Sequence, residues 1–184
     1  MVADLSKLVP EFRTKVEKLI ANCAKRGIEM RPNEALRDPW RQAKLWRQSR
    51  TIQEINAAAE KLQSEGAPYL AGILTAVGPQ HGPHVTNSLP GFSWHQWGEA
   101  CDCFWVVDGH AEWSTTKKVN GQNGYQVYAA EAGQLGLDAG GLWSKFKDWP
   151  HVQFQTAASP RKLFSVAQID AKMKERWGTT PPKD

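Results

Sequence analysis

Two short segments hold the residue types from which a hydrolytic centre could be built. Residues 92–108, FSWHQWGEACDCFWVVD, crowd a histidine, two aspartates and two cysteines among tryptophan and phenylalanine, and DWPHVQF follows at 148–154. A catalytic zinc site uses about three protein ligands and keeps one position open for water, and two imidazoles with one carboxylate is a known set. His95, Asp102 and His151 supply those groups. His95 lies just before Gly98, in a segment able to turn. Asp102 lies in a run of strand-forming residues, where side chains alternate between faces. If Asp102 faces the site, Cys101 and Cys103 face away from it and serve as small core hydrophobes, the usual use of a free thiol. Asp148, three residues before His151, is placed to act as general base toward an attacking water. Taken singly these residues admit plainer roles. A lone histidine is more often structural or surface than a ligand, and Asp148 alone reads as a turn residue. Asp102 is harder to explain that way, because burying an unpaired carboxylate is costly.

The elements that must position these groups are legible as patterns. From Pro10 to Ile28, apolar residues at Phe12, Val16, Leu19, Ile20 and Cys23 mark one helical face. A short strand, GIEMR, follows. Asp38-Pro39 reads as an N-cap with proline at the first helical position, opening a helix to about Gln48. Thr51 and Glu54 form a capping box for the next helix, with Ile52, Ile55, Ala59 and Leu62 on one side. Gly and Pro punctuate a loop over 78–91. EACDCFWVVDG is a strand closed by Asp108-Gly109. Tyr125–Leu137 reads as a helix, HVQF as a short strand, and 165–178 as a C-terminal amphipathic helix with a loose tail behind it. The mixed order predicts an α+β fold, a single domain over 1–184 with a small antiparallel sheet flanked by helices.

Composition sets the class. The chain has 184 residues, 41% hydrophobic and 23% charged, with a formal charge of +4, which suits one soluble globular domain. No apolar run approaches the roughly 20 residues needed to span a bilayer, so stable membrane insertion is not expected. The charged N-terminal segment lacks the apolar block of a signal peptide, and synthesis in a cytoplasm is the expectation. Cys23, Cys101 and Cys103 make an odd count without disulfide or zinc-ribbon spacing. The positive charge suits an anionic partner, but the basic residues are scattered, and nucleic-acid binding has no other support.

At this point the segments resemble a known family. SWHQWGEACD fits the S-x-H-x-x-G-x-A-x-D signature of M15-type zinc peptidases, the D-alanyl-D-alanine carboxypeptidase and VanY-like group, and DWPHVQF resembles their D-x-P-H-F-[EQ] signature. Upstream, GIEMRPNEALRDPWRQAKLWRQSRT is similar to their strand and Y-R-[ST]-x-x-x-Q-x-x-L-[YW] segment. VTNSLPG and AAEAGQLGLDAGGLW also match in order. The likeness covers about 27–51 and 85–155, within a core of about 27–155. In length and detail it is nearest to the L-alanyl-D-glutamate endopeptidases of phage endolysins. The resemblance implies one zinc per chain held by His95, Asp102 and His151, with Asp148 as catalytic base. It implies that Arg37 steadies the oxyanion or a substrate carboxylate, that Gln42 lies near the substrate, and that Ser93 supports the ligands. Leu36, Asp38, Trp97 and Val152 depart from the usual residues and leave the ligand set intact. Residues 51–85 exceed what many relatives have there and are expected to form a helical insertion or lid.

The activity so implied is zinc-dependent hydrolysis of a peptidoglycan stem peptide, at the L-alanyl-D-glutamate bond, by a monomeric phage or prophage endolysin. It would act in the periplasm or wall after membrane permeabilisation. Two alternatives stand beside it. One is a D,D-carboxypeptidase or dipeptidase of wall peptides; the other is a zinc-stabilised wall-binding module without catalysis. The remaining histidines, His81, His84 and His110, are expected to face solvent.

Overall fold

A computed structural model describes residues 3–181; Met1, Val2 and the last three residues of the tail lie outside the described range. In chain order the elements are α1 (Pro10–Lys25), β1 (Glu29–Glu34), α2 (Pro39–Arg47), α3 (Ile52–Ser64), α4 (Pro68–Ala76), β2 (Ala100–Val107), β3 (His110–Glu112), α5 (Gly124–Gln134), β4 (Asp138–Ala139), β5 (His151–Gln153) and α6 (Val166–Trp177), with one short 3-10 turn before α1 and three between later elements. The predicted α+β class with a small antiparallel sheet is the one found.

One compact unit comprises the chain up to Leu36 together with Trp97–Thr156. Its sheet has the order β1-β2-β5-β4, with β3 paired to the far part of β2, and the strand pairs are antiparallel. Pro32 lies in β1, an edge strand, where a missing amide is tolerated. β2 is the central strand, and its alternation divides the residues that matter. Cys101, Cys103 and Trp105 are buried in the apolar core. Asp102 and Phe104 are half-buried on the opposite face. That core is completed by Phe12, Val16, Leu19 and Cys23 of α1 and by Tyr125, Tyr128, Ala129 and Ala132 of α5. The helical spacing of the α1 residues explains why a single face of that helix is buried.

The other unit comprises Arg37–Gln96 and the chain from Ala157 on. Local signals open three of its helices. The Asp38 carboxylate accepts from Arg41 N at the start of α2, and capping boxes open α3 (Thr51 with Glu54) and α6 (Ser165 with Gln168). α4 has no such signal. Its N-cap is Ala67, without a side-chain acceptor, and Leu70, Ala71, Ile73 and Leu74 are all buried. Its ends are satisfied from elsewhere. Buried Asp170 of α6 accepts from Leu70 N at 2.8 Å and Tyr69 N at 3.4 Å. Buried Arg47 of α2 donates to the carbonyls of Leu74 and Thr75 at 3.0 and 3.2 Å. A carboxylate at the N-terminus and a guanidinium at the C-terminus both complement the helix dipole. Hydrogen bonds to charged groups contribute about 1.5–3 kcal/mol each, so these two residues tie α4 to its neighbours.

Candidate metal centre

His95 rides on a one-turn 3-10 helix, Trp94–Trp97, that leads directly into β2. Gly98 leaves that turn with φ 72°, a conformation open to glycine at little cost. The turn is fastened at several points. Trp94 Nε1 donates to the Ala157 carbonyl at 2.7 Å, and His95 N donates to the Ser93 hydroxyl at 3.4 Å. Ser93 therefore supports the backbone of the turn that carries His95. Ser93 N donates in turn to Oε1 of Gln96 at 3.2 Å.

Gln96, which sequence reasoning did not single out, is the hub of this part of the site. Gln96 and Gln42 are both fully buried. Gln96 Nε2 donates to Gln42 Oε1 at 3.1 Å, and the same oxygen accepts Arg37 Nη1 at 2.9 Å. Gln42 Nε2 donates to the Ser88 carbonyl at 2.7 Å. A guanidinium only donates and a carbonyl only accepts, so each amide has one allowed orientation. Arg37 N also donates to the His95 carbonyl at 3.2 Å. The guanidinium predicted to meet substrate is thereby tied to the turn that carries a predicted ligand, by its own backbone and through two buried glutamines. No local motif announces such a network, because buried glutamine has no spacing signature.

Asp102 and His151 are brought together by strand pairing, being directly opposite one another in the β2–β5 register. Asp148 begins the turn that ends at His151: its carbonyl accepts His151 N at 3.1 Å, and its own N–H donates to the Gly140 carbonyl at 3.1 Å. Cys103 N donates to the Pro150 carbonyl at 2.9 Å, fixing the turn to β2. Gly140 and Gly141 form its seat. A Cβ on Gly140 would lie 2.3 Å from the Asp148 carbonyl oxygen, and one on Gly141 would lie 2.5 Å from the Trp149 ring. Only glycine permits that approach. The positioning role of this pair was also missed from sequence, though the segment containing it was recognised.

The ligand atoms of His95, Asp102 and His151 all lie within 4.8 Å of one another. His95 and His151 are buried and Asp102 half-buried. His151 Nδ1 faces Asp102 Oδ1 at 2.9 Å. A ring proton on Nδ1 or a metal ion held between the two groups would satisfy this contact, whereas a bare Nδ1 lone pair against the carboxylate would be repulsive. Burial, the largest influence on His151, disfavours its charged form. The hydrogen bond and charge of Asp102, the charge of Asp148 and the bond to Gln153 outweigh it and hold the pKa above the ordinary histidine value. Two imidazoles and a carboxylate converging in a shielded position fit zinc. The thiols lie elsewhere: Cys101 and Cys103 are on the core face of β2, and Cys23 is on the buried face of α1. The bond to Cys103, with burial next, pushes the Cys101 thiol well above its usual range. Cys23 is pushed to about 12, chiefly by burial. His81, His84 and His110 are exposed and lie outside the cluster.

The chain is similar to known proteins in three comparisons. A family model described as VanY, D-alanyl-D-alanine carboxypeptidase, matches residues 5–139, a span that includes Arg37, His95 and Asp102 and stops before Asp148 and His151. The peptidoglycan L-alanyl-D-glutamate endopeptidase CwlK of Bacillus subtilis strain 168 is 26% identical over 151 residues, covering 80% of this chain and 74% of CwlK. The crystal structure of the L-Ala D-Glu endopeptidase ChiX of Serratia marcescens superposes loosely, with a TM-score of 0.43 at 17% identity over 86% of each chain.

Proposed function

We propose that this chain, which belongs to the VanY D-alanyl-D-alanine carboxypeptidase family, is a zinc-dependent peptidase that cuts the L-alanyl-D-glutamate bond of the peptidoglycan stem peptide. The observation that carries the proposal is the convergence of His95, Asp102 and His151. The choice of bond rests on the likeness to CwlK, whose name states that activity. Among the described residues no helix is long and apolar enough to cross a membrane.

Zinc held by these three residues would polarise the scissile carbonyl and acidify the attacking water. The other steps belong to the chain's own groups. Asp148, held in its turn by backbone bonds at both ends, accepts the proton from the attacking water and returns it to the departing amine. Arg37 offers donors to the oxyanion or to a substrate carboxylate, and charged donors so placed contribute a few kcal/mol to catalysis. Gln42 and Gln96 keep that guanidinium in register with the His95 turn. The resemblance to phage endolysins supports a role in host lysis, with action on the periplasmic or wall side after the membrane is permeabilised.

Digestion of purified peptidoglycan, followed by identification of the new amino termini, tests the proposal. A new amine on D-glutamate is the expected product. Release of D-alanine would shift the assignment to a D,D-carboxypeptidase, the activity by which the family is described. Binding to wall without any new terminus would leave only the non-catalytic module.

A further inference from the structure

Behind His151 runs a chain of hydrogen bonds in which every partner's role is forced. Trp143 Nε1 donates to Asp138 Oδ1 at 2.8 Å; an indole N–H only donates. Asp138 Oδ2 accepts Gln153 Nε2 at 3.2 Å, and the Gln155 carbonyl accepts the same nitrogen at 2.6 Å. A carboxylate and a carbonyl only accept, so the amide nitrogen of Gln153 is committed to them and its oxygen points the other way. That oxygen lies 3.1 Å from His151 Nε2. An amide oxygen cannot donate, so Nε2 must carry the proton. The lone pair of the neutral ring is then left on Nδ1, the nitrogen that faces Asp102.

We infer that Gln153, aimed by Asp138 and Trp143, is a positioning residue that holds His151 as the Nε2–H tautomer and so presents Nδ1 to the metal. The inference rests on the zinc-peptidase reading above. The strand register makes the arrangement economical. Gln153 pairs with Asp138 across β4–β5, while His151 pairs with Asp102 across β2–β5. One short strand thus carries both the ligand and the group that sets its tautomer. Partners of this kind orient a metal-binding histidine, and their loss weakens binding about 10–100-fold.

Asp138→Asn and Gln153→Leu test the inference without altering a ligand. Asparagine offers one oxygen where the carboxylate offered two. Either Trp143 loses its acceptor, or Gln153 loses its bond to residue 138 and is aimed by the Gln155 carbonyl alone, or the Gln153 amide turns over and presents N–H to His151. The measurements are zinc affinity by chelator competition and nitrogen-15 NMR of the His151 ring, with melting of the metal-free proteins as the control for folding. In zinc-loaded wild type, the proton is expected on Nε2 and the metal on Nδ1. Both variants are expected to bind zinc about 10–100-fold more weakly. Zinc on Nε2 in wild type, or affinity within about twofold of wild type in both folded variants, against that expected loss, overturns the inference and leaves the peptidase reading standing. A variant that does not fold leaves the wild-type spectrum as the deciding result. A wild-type chain that takes up no zinc overturns both.

Discussion

Asp148→Asn is expected to lower peptidoglycan hydrolysis by about 10²–10⁴-fold, the range that a positioned general acid–base supplies, while zinc content stays at one per chain. The substitution keeps the shape of the side chain and removes its ability to take a proton. The turn is held through backbone atoms, Asp148 N to Gly140 O and His151 N to Asp148 O, which asparagine retains. The seat on Gly140 and Gly141 is also unchanged. The melting temperature should therefore move little. Turnover on purified wall, zinc stoichiometry and melting, taken together, check the assignment. Activity within a few fold of wild type would remove Asp148 from the reaction.

His95→Ala is expected to abolish both zinc retention and hydrolysis, the second large effect. Two ligands remain, and a catalytic zinc site uses about three. The scaffold is expected to survive the change, because several bonds that hold the turn do not involve the His95 ring. They run from Trp94 to Ala157, from the His95 amide to Ser93, and from Gln96 to Ser93 and Gln42. Asp102 and His151 keep their direct contact as well. Zinc content after dialysis, compared with the circular dichroism of the same sample, separates loss of metal from loss of fold. A folded variant that still carries zinc and cuts wall would place the metal on other residues.

The clustering of His95, Asp102 and His151 was legible because it rests on strand alternation and on signatures with fixed spacing. β2 places Cys101 and Cys103 in the core and Asp102 on the other face, as a period of two requires. Helices opened by their own residues were legible too: Asp38 for α2, Thr51 and Glu54 for α3, Ser165 for α6. α4 was not legible. Its sequence, PYLAGILTA, is apolar on most sides, and its capping groups, Asp170 and Arg47, come from other helices. β3 and β4 are only a few residues long, too short for a periodicity to show. The same limit applies to Gln96, Gln153, Asp138 and Trp143. Their roles arise from side-chain hydrogen bonds, some between distant residues (Gln96 to Gln42, Gln153 to Asp138) and some between near ones (Trp143 to Asp138, Gln153 to His151), and no spacing rule encodes those partners. Gly140 and Gly141 are intermediate, since a glycine pair signals close approach but not what approaches.

The central claim is that His95, Asp102 and His151 hold a zinc ion and that the cysteines do not. X-ray absorption at the zinc edge of the loaded wild-type chain tests it most directly. The account predicts one zinc per chain with nitrogen and oxygen neighbours at about 2.0–2.2 Å and no sulfur. A sulfur shell at about 2.3 Å, or a chain that fails to retain zinc, would contradict it.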